Sequence, residues 1–162
     1  MKYVISQCLL GENCKYNGGN NRREDLLAYL QEQGIPYVGV CPEVLGGLPI
    51  PRLCAEICDG RVLNSANQDV SEAFALGAQR AMEIACVFGA DTAILQSRSP
   101  SCGVHRRYSG HFDRTLIDGN GIFAQQLVDH GFHVYDVNEF MAEQVEHKMT
   151  NKTKTDAHAS FD

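Results

Sequence analysis

The sequence predicts an α/β domain, a Rossmann-like three-layer arrangement of a mostly parallel sheet with flanking helices. Two observations carry this. Short apolar segments of strand character alternate with amphipathic helical segments, which implies parallel strands joined by crossovers. The chain is 162 residues long, with 44% hydrophobic and 21% charged residues. That suits one compact domain able to bury about 70% of its unfolded surface. Its net charge of −6 disfavours broad backbone-driven nucleic-acid binding, and no apolar run approaches the ~20 residues of a membrane-spanning helix.

The elements follow in order. Tyr3, Val4 and Ile5 form a short buried strand that runs into a glycine-rich loop, Gly11 to Asn21. Asn21 with Glu24 reads as a capping box, and Leu26, Leu27 and Leu30 give the next helix its apolar face before Gly34 stops it. Ile35 to Val40 is a second strand. Cys41 to Arg52 then holds three prolines and two glycines, the composition of a rigid loop. Asp59-Gly60 between Ala55–Cys58 and Arg61–Asn64 signals a hairpin. Asp69 with Glu72 opens a helix through Phe88, with Phe74, Ala78, Met82, Ala85 and Cys86 on its apolar face. Thr92 to Leu95 is a third buried strand, followed by an Arg- and Gly-rich loop to about Asn120. A helix over Gly121–His130, a strand over Phe132–Asp136 and a helix over Asn138–His147 complete the alternation. Residues 1–147 thus form one domain. Residues 148–162, which include Phe161 but are mostly polar, read as a flexible C-terminal tail.

Ligands of open α/β sheets bind outside the carboxyl ends of the strands, near a switch in strand order. Cys8 lies just after the first strand, Cys41 just after the second and Cys102 a few residues after the third, so three cysteines distant in sequence converge on one sheet edge. The stretch before Cys8 is too short for a signal-peptide core. The chain is therefore expected to be cytoplasmic, with its seven cysteines kept as thiols. The edge trio fits an iron–sulfur cluster, zinc or another metal, or a redox-active thiol set. No C-x2-C pair is present, which both structural zinc and dithiol redox sites usually show. Long-range ligands from separate loops suit a [4Fe–4S] cluster, and three thiolates would leave one iron open as a Lewis acid.

Taken together, Cys8-Leu9-Leu10-Gly11 with Cys14-Lys15-Tyr16-Asn17-Gly18, Cys41-Pro42-Glu43 with Gly46-Gly47-Leu48 and Pro51-Arg52, and Ser99-Pro100-Ser101-Cys102-Gly103 resemble the 2-thiouracil desulfidase (TudS) family from about residue 2 to residue 137. The resemblance implies an α/β protein with a [4Fe–4S] cluster on Cys8, Cys41 and Cys102 and one open iron site. It further implies a non-redox desulfuration of a thiolated pyrimidine (2-thiouracil, 4-thiouracil, thiouridine or its monophosphate) to the oxo form. Substrate sulfur binds the iron that lacks a cysteine, water attacks the C=S carbon, and hydrosulfide leaves. Glu43 matches the family's catalytic glutamate, the general base, and Ser99 a serine that assists proton transfer or holds substrate. Two departures stand out: Gln96 where relatives commonly carry lysine, and Leu53-Cys54 where prolines are common. Relatives fused to a second domain act on transfer RNA. This acidic chain, without one, is expected to take a free base, nucleoside or nucleotide rather than a large nucleic acid.

Other readings of the same residues are plainer. Ser101 caps a local turn or contacts substrate, and Glu43 accepts backbone N–H groups in its own turn. Arg98, Arg106, Arg107 and Arg114 make a solvated face, or else the dock for a substrate phosphate. Cys86 is expected to be buried, Cys54 and Cys58 structural, and Cys14 either loop packing or a supporting fourth ligand. The six histidines show no ligand spacing. Two rival functions remain at this stage: a structural metal-binding module, and a cysteine-based redox or persulfide-handling protein.

Overall fold

A computed structural model describes residues 1–159, with side chains through Asp156. The elements are β1 (Tyr3–Ser6), a 3-10 turn (Gln7–Leu10), α1 (Glu24–Gln33), β2 (Tyr37–Val40), α2 (Pro42–Leu45), β3 (Ala55–Cys58), β4 (Arg61–Asn64), α3 (Ser71–Phe88), β5 (Thr92–Leu95), β6 (Arg106–Tyr108), β7 (Leu116–Asp118), α4 (Ile122–Asp129), β8 (His133–Asp136) and α5 (Val137–Ala159). Four strands pair in the order β2-β1-β5-β8, every pair parallel. This is the expected α/β class.

The strand period of two explains the layers. Val4 packs with Val40, Ala93 and Leu95 against α3 and α4, through Ala78, Ala81, Phe123 and Leu127. Tyr3, Ile5 and Ile94 face the other way, onto Leu26 and Leu30 of α1 and Phe140 of α5. Phe140 also takes three edge-to-face aromatic contacts, from Tyr3, Tyr29 and Tyr135. The chain leaves β1 toward β2 on one side and returns to β5 on the other, so strand order reverses beside β1. The crevice of such a fold opens there.

Several local expectations are corrected. Helix α1 begins at Glu24 with Arg23 at its cap and no side-chain capping bond, because Asn21 turns instead toward Cys8, 3.6 Å from its Sγ. At the start of α3 the cap is Val70, again with no side-chain capping bond; Asp69, one residue earlier, accepts from Ser71 N–H at 2.9 Å, and Glu72 does not close a box. The rigid loop after Cys41 contains a helical turn, α2, packed directly on α3. A Cβ at Gly77 would stand 1.7 Å from the carbonyl oxygen of Pro42, and one at Gly46 2.0 Å from that of Ala73; only glycine permits this approach. The Arg- and Gly-rich loop to Asn120 holds a second antiparallel hairpin, β6–β7, which alternation did not reveal because its strands are three residues each.

The C-terminal helix does not end at His147 but continues through Ala159. Residues 148–156 are all exposed. The polar composition is as expected, with Met149 the one bulky apolar residue of this stretch. Phe161 lies outside the described residues. Among the described residues no helix is long and apolar enough to cross a membrane.

Candidate active site

A cavity of about 560 Å³ opens at the carboxyl ends of β1, β2 and β5, and Cys8, Cys14, Cys41 and Cys102 all line it. Each thiol arrives by a different local device. Cys8 sits in the 3-10 turn that ends β1. Cys41 caps α2, with Pro42 at the first helical position, where proline's fixed φ suits it. Cys102 is buried at 5% exposure in the turn after β5.

Their electrostatics differ accordingly. The Cys14 thiol lies between Cys8 and Cys41, and its hydrogen bonding lowers the pKa of both. Cys41 falls to about 7, with the Val44 N–H helping. Cys14 itself is pushed up by the same two contacts. Burial raises Cys102, which the Ser6 and Ser101 hydroxyls partly offset. The donor set is soft and thiolate-capable, the chemistry that iron–sulfur clusters require. Among the described residues no group of three or more His, Cys, Asp or Glu side chains is arranged to hold a single metal ion.

Beside the thiols lies a carboxylate held at both oxygens. Arg52 Nε donates to Glu43 Oε1 at 3.1 Å, with the two side chains only 6% and 15% exposed. Ser101 Oγ donates to Glu43 Oε2 at 2.9 Å, and Ser99 Oγ lies 2.9 Å from Ser101 Oγ. The Ser99 hydroxyl already accepts from the backbone N–H groups of Ser101 and Cys102, each at 3.1 Å. Its own hydrogen is then free for Ser101, whose hydrogen goes to Glu43. Ser101 thus touches the carboxylate directly, while Ser99 builds the turn and reaches Glu43 only through Ser101. Both line the cavity.

The arginines divide as well. Arg98 and Arg114 line the cavity, both with positive φ. Arg106 does not. It is exposed and pairs with Asp118 at 2.8 Å. Arg107 also stands outside, donating to the Asn120 carbonyl at 2.9 Å, with its buried Nε unpartnered. Cys86 is exposed on α3 rather than buried, Cys54 is exposed and Cys58 half-buried; Cys54 lines the cavity mouth.

Sequence reasoning gave Arg52 no role, although a lone arginine nine residues after Glu43 in a rigid loop was a signal. Its guanidinium also donates to the Cys14 carbonyl at 2.8 Å, tying the second cysteine block to the first. Lys15, Tyr16 and Phe112 line the cavity too. Phe112 had no sequence signal, because nothing in the Arg- and Gly-rich loop showed which residues turn inward.

The comparisons agree with this geometry. A family model described as 2-thiouracil desulfurase matches residues 3–139, the span that contains every side chain of the cavity. The uncharacterized protein YbbK of Bacillus subtilis (strain 168) is 34% identical over 146 residues, 84% of this chain and 95% of that protein. A solved structure of the [4Fe–4S]-dependent thiouracil desulfidase TudS is similar at 33% identity and a TM-score of 0.80, covering 90% of this chain and 97% of the other. The chain belongs to the 2-thiouracil desulfurase family.

Proposed function

We propose that this protein is a [4Fe–4S]-dependent thiouracil desulfidase that converts a thiolated pyrimidine to its oxo form and releases hydrosulfide. The observation that carries the reading is the meeting, in one cavity, of three thiols from three strand ends with a doubly anchored carboxylate. Cys8, Cys41 and Cys102 would hold the cluster, which supplies a soft Lewis acid for the thiocarbonyl sulfur.

The other steps belong to this chain's residues. Hydrolysis of C=S needs a base to take a proton from water. Glu43 is that base. Arg52 and Ser101 occupy one lone pair on each oxygen, and the remaining lone pairs are free to accept from water. Arg52 fixes the carboxylate from one side, through the 3.1 Å contact to Oε1. The line of donation from Ser99 to Ser101 to Glu43 orients the carboxylate and is ready to readjust when Glu43 takes the proton. Cys14 supports Cys8 and Cys41. The cations at the mouth, Arg98, Arg114 and Lys15, suit an anionic group carried by the substrate, so a thio-nucleoside monophosphate is the favoured form. Arg106 and Arg107, spent on other partners, fall outside the substrate site. Free thiols and a cluster of this kind fit a reducing compartment, the cytoplasm.

Protein purified without oxygen is expected to contain about four iron and four sulfide per chain and to release hydrosulfide from a thiopyrimidine. Zinc, or no metal after anaerobic reconstitution, would overturn the reading.

A further inference from the structure

The cavity has a wall that neither the cysteines nor the sheet builds, the tip of the β6–β7 hairpin. His111 to Thr115 are exposed, yet two of these non-glycine residues hold left-handed backbone, Phe112 at φ 54° and Arg114 at φ 63°. Such residues persist only where the surroundings impose the conformation. What imposes it here reaches across from β3. Glu56 Oε1 accepts from the N–H of Gly110 at 3.0 Å and from that of Phe112 at 3.3 Å. Gly110 lies so close to β3 that a Cβ would stand 2.5 Å from the carbonyl oxygen of Ile57. Within the tip, Asp113 Oδ1 accepts from Ser109 Oγ at 2.8 Å and from Thr115 N–H at 3.0 Å. Phe112 and Arg114, held in this way, both line the cavity.

We infer that Glu56 is a positioning residue that clamps the hairpin tip onto β3, so that Phe112 and Arg114 stand at the cavity mouth and select the substrate. The division of labour follows from placement. The floor, with Glu43 and the thiols, acts on the C=S bond, whereas the tip meets whatever the reacting carbon is attached to. An aromatic side chain suits the face or edge of a planar heterocycle, and an arginine suits an anion beyond it. Loosening the clamp therefore weakens substrate capture more than the chemical step. The inference rests on the desulfidase reading, since the molecule selected is the thiolated substrate.

The test compares anaerobically prepared wild type, Glu56→Ala and Glu56→Gln, the last of which keeps a carbonyl oxygen able to accept the same two N–H groups. In Glu56→Ala, amide hydrogen exchange across residues 109–115 should rise by about tenfold or more. KM for a thiopyrimidine nucleotide should rise about five- to tenfold with kcat within about twofold. Iron and sulfide content should not change, and Glu56→Gln should recover most of the KM. Phe112→Ala should also raise KM, and the double variant should show no rise beyond Glu56→Ala, because the Phe112 contact is already lost when the clamp is. An unchanged tip exchange, a loosened tip with unmoved KM, or additive effects of the two substitutions would overturn the clamp. Loss of iron in Glu56→Ala would overturn it too, by making Glu56 a support of the thiol floor. Wild type that holds iron yet releases no hydrosulfide from any thiopyrimidine would instead overturn the desulfidase reading, and with it the tip's choice of that substrate; the exchange data would still judge the clamp itself.

Discussion

On the floor of the cavity, Cys41, Glu43 and Ser101 are fixed from more than one side: by the ends of parallel strands, by the close packing of α2 on α3, and by hydrogen bonds at both oxygens of the carboxylate. At its mouth, Lys15, Arg98 and Arg114 come from loops, and among the described residues none of the three has an ion-pair partner. The floor is organised before any ligand arrives, as chemistry at a single atom demands. The rim carries long cations whose charges are not spent on ion pairs, which suits recognition of a group far from the reacting bond. Changes to the floor should therefore act on cluster retention and kcat, and changes to the rim on KM.

The largest effect belongs to the thiols. Cys8→Ala, Cys41→Ala and Cys102→Ala should each abolish cluster retention and turnover, while Cys86→Ser, exposed on α3, should change neither; iron content and the visible spectrum of anaerobic protein are the readouts. A normal spectrum from any of the first three would break the assignment of the floor. Next comes the carboxylate. Glu43→Gln should keep full iron content and lose about 10²- to 10⁴-fold in kcat, the usual worth of a positioned base. Arg52→Gln leaves the Glu43 charge buried without its partner and should lower stability by about 3 kcal/mol, seen as a lower denaturation midpoint together with a fall in kcat. If Glu43→Gln turns over normally, the floor holds the cluster but does not supply the base.

The same contrast governs what the sequence could reveal. Cys8, Cys41 and Cys102 were legible because strand ends in a parallel α/β sheet share one edge, so chain position alone implies convergence. Glu43 entered through the family resemblance, with its place two residues after Cys41 in a proline-stiffened turn in agreement. The direction of hydrogen bonding was not legible. Two serines two residues apart offer equal claims on a carboxylate, and only the turn geometry shows that Ser99 spends its oxygen on backbone N–H groups while Ser101 faces Glu43. The rim was harder still. Four arginines crowd one segment; the two that line the cavity, Arg98 and Arg114, sit in loops on left-handed backbone that the sequence does not reveal, while Arg106 and Arg107 belong to β6, too short to be seen in the sequence, and both fall outside the cavity. Cys86 misled for a related reason: a cysteine near the apolar stripe of a helix falls on either side of it by a single position, and here it falls outside.

The smallest predicted effect sharpens the rim. Arg98→Ala and Arg114→Ala should each raise KM for a thio-nucleoside monophosphate about tenfold, the lower end of what a charge-assisted hydrogen bond contributes, because solvent and salt screen exposed groups. Neither should alter KM for the free thiobase, which carries no anion to lose. Arg106→Ala is the internal control. Its guanidinium is engaged by Asp118 at 2.8 Å and lies outside the cavity, so its loss should leave both substrates unaffected. Steady-state kinetics on the two substrates separate the cases. If Arg106→Ala costs as much as Arg98→Ala, the effect is one of overall charge near the mouth, and the two cavity arginines hold no particular group. If instead the free base suffers equally from Arg114→Ala, that arginine acts on the ring or through the hairpin tip, and phosphate recognition passes to Arg98 and Lys15.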